Sequence, residues 1–294
     1  AGTTIAYFLQ GLTYPGVQLL GLAPSDANPS DGLIATWRGS VSTTANLWAL
    51  AYMRDASTGV PTSYIGFATS YAFLIDQRDA TFAISLQAIA TSSMSLNFQP
   101  PDGYSVENAD VAIDVGPGST PAPIAHLTSP TGTVTFPVPD MPSNRLLATS
   151  TATRGADSSR ASMTAVAYPN GSADVTFAFP ATTQLGSPND GATDVDSTTP
   201  FSWNGSGVSE LLFSSAAPNA PTIRVVTDEQ SFTLEQFPAL SITPLPANAH
   251  YTWSARHWPD FAATDAFEAA GIDLVTANVA TSGAHGFTMK SPGK

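Results

Sequence analysis

The densest cluster of side chains able to do chemistry is Arg256-His257-Trp258-Pro259-Asp260, which sets a cation, an imidazole, an indole and a carboxylate within five positions. Such a set suits recognition better than bond making. An indole gives a flat stacking platform, and Arg and Asp give directed, charge-assisted hydrogen bonds. The competing reading is structural, with Trp258 plugging a sheet edge and Arg256 pairing with an aspartate. A second group, Asn189, Asp190, Asp194 and Asp196, places oxygen ligands around Gly191 and poses the question of calcium. No glutamate closes that loop at its twelfth position, and turn-forming aspartates account for the same letters. The sequence therefore assigns no metal ligand.

Constellations that would mark an enzyme are weak. Cysteine is absent, so there is no thiol nucleophile, thiolate metal site or disulfide framework. Asn204-Gly205-Ser206-Gly207 approaches Gly-x-Ser-x-Gly but lacks its spacing and its strand-to-helix context. His126, His250, His257 and His285 never fall as His-x-x-x-His or His-Glu-x-x-His. Two carboxylates drawn from distant strands could still serve glycoside hydrolysis, with Glu107, Glu210, Glu229, Glu235 and Glu268 as the glutamates available. Trp37, Trp48, Tyr52, Tyr64, Tyr71 and Tyr104 would make a sugar platform if three of them shared an exposed face, although aromatic residues at strand positions are mostly core. No catalytic residue and no cofactor is assigned, and a carbohydrate-active enzyme or sugar-binding module stays as the alternative.

The elements that must position these residues read as strands. Charged residues are only 11% of the 294, and the chain is loaded with Thr, Ser and Val, 24 prolines and 22 glycines, which suit strands joined by turns. Alternation is clearest in Thr133-Val134-Thr135-Phe136 and Asp174-Val175-Thr176-Phe177-Ala178-Phe179. Turn chemistry stands at Asp31-Gly32, Pro101-Asp102-Gly103, Gly116-Pro117-Gly118 and Pro169-Asn170-Gly171. Strands are expected at 4–9, 16–22, 33–38, 45–53, 63–68, 81–88, 93–98, 109–115, 132–138, 145–151, 161–168 and 173–179. After residue 183 they are expected at 200–203, 209–214, 222–227, 231–234, 250–255 and 286–289. Helical turns are expected only at Leu234–Leu240 and Ala262–Ala270. The fold class is all-β: tandem β-sandwiches, with residues 1–183 a sandwich or jelly-roll-like domain and 184–294 a second domain. The Pro-rich segment near 116–123 offers an alternative division of the first region into two smaller sandwiches.

The stretch after residue 183 resembles the fibronectin type III family, in the looser form of bacterial exported proteins. Trp203, at the end of SPNDGATDVDSTTPFSW, stands at the family's second-strand tryptophan, and Leu245, Pro246 and Tyr251 in LPANAHYTWSA match its tyrosine corner. HGFTMKS then looks like the last strand. The resemblance implies that Trp203 fills the core and that the Tyr251 hydroxyl bonds back to the chain before its strand. It also implies a short hairpin before the last strand, whereas here a long segment, including Arg256 to Phe261, intervenes. That segment is the candidate binding loop: Arg256, His257, Trp258 and Asp260.

The net charge is −13, and the ten basic residues are eight scattered arginines plus Lys290 and Lys294. Nucleic acid needs clustered cations and is not an expected partner. No apolar run approaches a membrane-spanning length. Freedom from cysteine and a Ser/Thr-rich, low-charge composition suit export from a bacterium. The expectation is an acidic extracellular or cell-envelope protein without a signal segment at Ala1, working by adhesion, extracellular assembly or ligand binding. Its partners would be protein, either self in a homo-oligomer or another surface protein, or glycan.

Overall fold

The computed structural model describes residues 2–10, 18–22, 35–38, 43–55, 57–75, 85–114, 121–140, 145–155, 161–169, 174–217, 220–236, 245–270 and 277–291. Its strands, in chain order, are β1 (Gly2–Gln10), β2 (Gln18–Leu22), β3 (Ala35–Arg38), β4 (Thr43–Arg54), β5 (Pro61–Ile75), β6 (Thr91–Phe98) and β7 (Ser105–Asp114). Then come β8 (Ala122–Thr128), β9 (Gly132–Pro139), β10 (Arg145–Arg154), β11 (Ala161–Ala167), β12 (Val175–Thr176), β13 (Leu185–Ser187) and β14 (Ala192–Val195). The last are β15 (Pro200–Trp203), β16 (Val208–Ser214), β17 (Ile223–Thr227), β18 (Ser231–Thr233), β19 (His250–Trp258), β20 (Val279–Thr281) and β21 (His285–Met289). One short α-helix, α1 (Thr264–Ala270), lies between β19 and β20. The fold is all-β, with several antiparallel and mixed sheets. Contacts divide it into two units that share the chain unevenly: Ala1–Gln99, Glu107–Ser150 and Ala167–Phe177 in the first, and Pro100–Val106, Thr151–Val166 and Ala178–Lys294 in the second.

In the first unit β1, β4 and β5 form one antiparallel sheet, and β9 and β12 flank β6 in another. The second shows how the sequence pattern becomes packing. Met94, Leu96 and Phe98 recur every second residue in β6 and are all buried, because successive side chains of a strand point to opposite faces. Their register sets Met94 across from Phe136 and Leu96 across from Val134 of β9, and Phe98 stacks on Phe177 at 5.6 Å. The other face is a hydroxyl and amide ladder: Ser95 meets Thr135 at 3.1 Å, and Thr133 donates to Asn97 at 2.6 Å. That face is built from neutral polar groups instead of ions.

The second unit holds two sheets around one aromatic core. Antiparallel β13, β15 and β18 form one sheet. β17, β16, β19 and β21 form the other, with β14 added parallel to β21. Between them lie Phe201 and Trp203 from the first sheet and Leu211, Phe213, Tyr251, Trp253 and Phe287 from the second. Phe201 is the hub. Its ring meets Phe213, Trp253 and Phe287 edge-on at 5.0, 5.1 and 5.2 Å, a geometry favoured by ring quadrupoles.

Several sequence expectations are corrected. The strand expected at 81–88 is, within its described part 85–88, only a bridge from Gln87 to Phe67. Of the strand expected at 173–179 only Val175–Thr176 pairs, parallel to β6, and the chain leaves the first unit after Phe177. β8, β13, β14 and β20 were not anticipated. β8 contains Pro123 and reads as a turn, yet it pairs with β7 from Asn108↔Thr128 to Ile113↔Ala122, which an outer strand tolerates at a proline. The helical turn at 234–240 is a 3-10 turn over Leu234–Gln236, and 237–240 lie outside the described residues.

Candidate functional site

The residues proposed as a binding loop do not form a loop. β19 continues through Trp258, so Arg256, His257 and Trp258 are strand residues and only Asp260 lies beyond it. Alternation then sends neighbours to opposite faces. Tyr251, Trp253, Ala255 and His257 face the core, while Arg256 is exposed on the outer face.

His257 is 1% exposed and sits 2.5 Å by Nδ1 from the Thr183 hydroxyl, itself buried. Desolvation holds its imidazole below the ordinary value of about 6.5, which favours the neutral form. Against the ring lies the turn Asn204-Gly205-Ser206-Gly207 between β15 and β16, where a Cβ on Gly205 would come within 3.1 Å of the imidazole. At Gly207, φ is +94° and a Cβ would lie 2.3 Å from the Trp258 carbonyl oxygen. Those glycines are therefore demanded by close approach of backbone to β19, which gives the serine-hydrolase-like letters a structural origin.

Trp258 is on the outer face yet only 5% exposed, because α1 folds over it. Its ring packs on Phe267 at 4.7 Å, and Phe261 meets Phe267 edge-on at 5.6 Å. With Val208, Ala277 and Val279 these residues make a satellite core. Arg256 places its guanidinium carbon 5.8 Å from the Trp258 ring centroid, within cation–π range. Asp260 does not pair with Arg256 in the described hydrogen bonds. Its carboxylate accepts from the Asn278 backbone at 2.8 Å and side chain at 3.1 Å, while Asn278 Oδ1 accepts from the Val166 amide at 2.9 Å. The four residues thus separate into a buried imidazole, a covered indole, an exposed guanidinium and a carboxylate that ties β20 down.

Two of the three aspartates in the second candidate group, Asp190 and Asp196, are also engaged in the fold. Asp190 accepts from the Gly286 amide at 2.7 Å. Asp196 accepts from the Thr198 amide and from the Thr198 and Thr199 hydroxyls, which hold its carboxyl below the usual range. Among the described residues no three His, Asp or Glu side chains are grouped so that they could hold a metal ion. Tyr52 and Tyr104 are buried, and Tyr64 spends its hydroxyl on the Pro137 carbonyl at 3.2 Å. The side chains of Trp37, Trp48 and Tyr71 lie outside the described residues.

Two expectations carried by the type III resemblance separate here. Trp203 is core, 4% exposed, and its indole donates to the Ser209 hydroxyl at 2.9 Å. Tyr251 is fully buried, but its hydroxyl, like the Trp253 indole nitrogen, has no hydrogen-bond partner among the described residues. The ring stacks on Phe287 at 5.8 Å inside the core.

What the sequence did not mark is the surface that Arg256 joins. In the register of β19, β16 and β17, Arg256 stands beside Glu210 and Glu210 beside Val226. Arg224 Nε reaches Glu210 Oε1 at 3.3 Å, so one carboxylate lies between two arginines on the outer face. Val226 beside them is 44% exposed. The alternation Arg224, Val226 was visible in IRVVT, but its neighbours on β16 follow only from pairing. No protein-family model and no curated protein matches this chain.

Proposed function

We propose that this chain is a non-catalytic module of an exported or cell-surface protein, its C-terminal sandwich fibronectin type III-like, acting by adhesion or assembly through sheet edges. The observation that carries the reading is β17. Among the described residues it pairs with β16 alone. It has no lysine, proline or register shift within Ile223–Thr227, and it shows Arg224 and Val226 to solvent. Edge strands of stable monomers are ordinarily blunted by such devices, since an open edge is a template for another strand. The type III reading is supported by Trp203 in the core and by a three-stranded sheet facing a larger one.

Sedimentation velocity across a concentration series, with electron microscopy of the same samples, tests the reading. Reversible oligomers or filaments are expected, or capture of a surface protein if self-contact is weak. Discrete monomers at every concentration, together with specific signals on a glycan array, would overturn it in favour of a sugar-binding module.

A further inference from the structure

We infer that the partner of β17 is the β17 of a second copy of this chain, paired antiparallel about a two-fold axis through Val226. The inference rests on the assembly reading above and names its contact. Arg224 and Val226 are exposed and alternate on the outer face of β17, and Asp228, the first residue beyond Thr227, is exposed at the bend that follows, while Ile223 and Val225 point into the core. A two-fold pairing that keeps this face on one side of the joined sheet sets residues of like parity opposite each other. Centred on Arg224 it would oppose two arginines, centred on Val225 it would oppose Arg224 to Val226, and centred on Thr227 it would oppose Val226 to Asp228. Centred on Val226, it opposes Arg224 to the second copy's Asp228 twice and lays Val226 on its own symmetry mate. That register alone among the four joins opposite charges at both ends and covers the exposed apolar side chain. Directly opposite charges stabilise an antiparallel pair and like charges destabilise it. Arg224 can serve both carboxylates at once, because its guanidinium carries five donors and Glu210 lies at its Nε. Continuing β21-β19-β16-β17 across the axis joins two four-stranded runs into one sheet, an isologous contact that closes at a dimer.

The test is a charge exchange between two full-length variants. Arg224→Asp puts acid against acid at both ends of the contact, and Asp228→Arg puts Arg against Arg. Each variant alone is expected to dimerise at least roughly tenfold more weakly than the natural chain. Their equimolar mixture, in which every opposed pair is again Arg with Asp, is expected to recover the natural affinity as a heterodimer in sedimentation velocity. Unchanged thermal unfolding of each variant keeps loss of fold out of the comparison. If either variant associates like the natural chain, or the mixture does not recover, the β17 contact is wrong while assembly through another edge stands. A natural chain that stays monomeric up to about 1 mM overturns both the contact and self-assembly.

Discussion

At the scale of single residues, buried polar atoms set the sharpest expectations. Trp203 combines a large apolar surface with one donor, met by Ser209. Truncation of a buried aromatic costs ~3–5 kcal/mol, so Trp203→Ala is expected to lower unfolding free energy by that amount in chemical denaturation. Ser209→Ala should cost ~1–3 kcal/mol, since it strands the indole N–H inside the core. A loss near zero in both would mean that the indole lies at the surface. His257 gives a pH dependence with a definite sign. Its folded-state affinity for protons is depressed by burial, so the unfolded chain takes up the proton first as pH falls. Its contribution is therefore complete above about 6.5 and is lost on acidification towards the lower folded value. The melting temperature should fall from about pH 7 to about pH 5, and His257→Gln should flatten that slope. An identical slope in the variant would show that other groups cause it.

At the scale of elements, β19 is the organising strand of the second unit. It gives one face to the sandwich core and, at Trp258, the other to the satellite core under α1. A seven-residue helix is too short to persist by itself in water, so α1 is held by Phe267 on Trp258. Trp258→Ala should cost ~3–5 kcal/mol and release α1, seen as accelerated amide exchange in 264–270. Exchange unchanged there would mean that α1 is anchored elsewhere. The turn before β16 has less freedom. Gly207→Ala faces both a positive φ and a 2.3 Å approach to the Trp258 carbonyl, and a loss of at least ~1–3 kcal/mol is expected in thermal unfolding.

At the scale of the whole molecule, the second unit borrows residues from far along the chain. Its main core lies wholly between Val195 and Phe287, so a fragment 178–294 is expected to unfold cooperatively in urea. The fragment lacks Tyr104, Ala152, Ala161 and Met163, which pack on Ala280, and it lacks β11, which pairs with β20. It should therefore be less stable than the second unit in the full chain, with the deficit concentrated in amide exchange at 279–281. Equal protection there would show that β11 adds nothing. Composition, alternation and turn residues made the all-β class and most strands legible in the sequence, because those properties are set by neighbours one or two positions apart, whereas the burial of Trp203 was legible only through the type III resemblance. The sequence also marked Arg256 to Asp260 as unusual, but as a loop. Three things take residues brought from elsewhere to settle: that Trp258 is covered by Phe267, that His257 meets Thr183 74 positions away, and that Glu210 stands between Arg224 and Arg256. Pairing and register place those partners, and they act across space on side chains whose local pattern is the same whether the far face meets water or another strand.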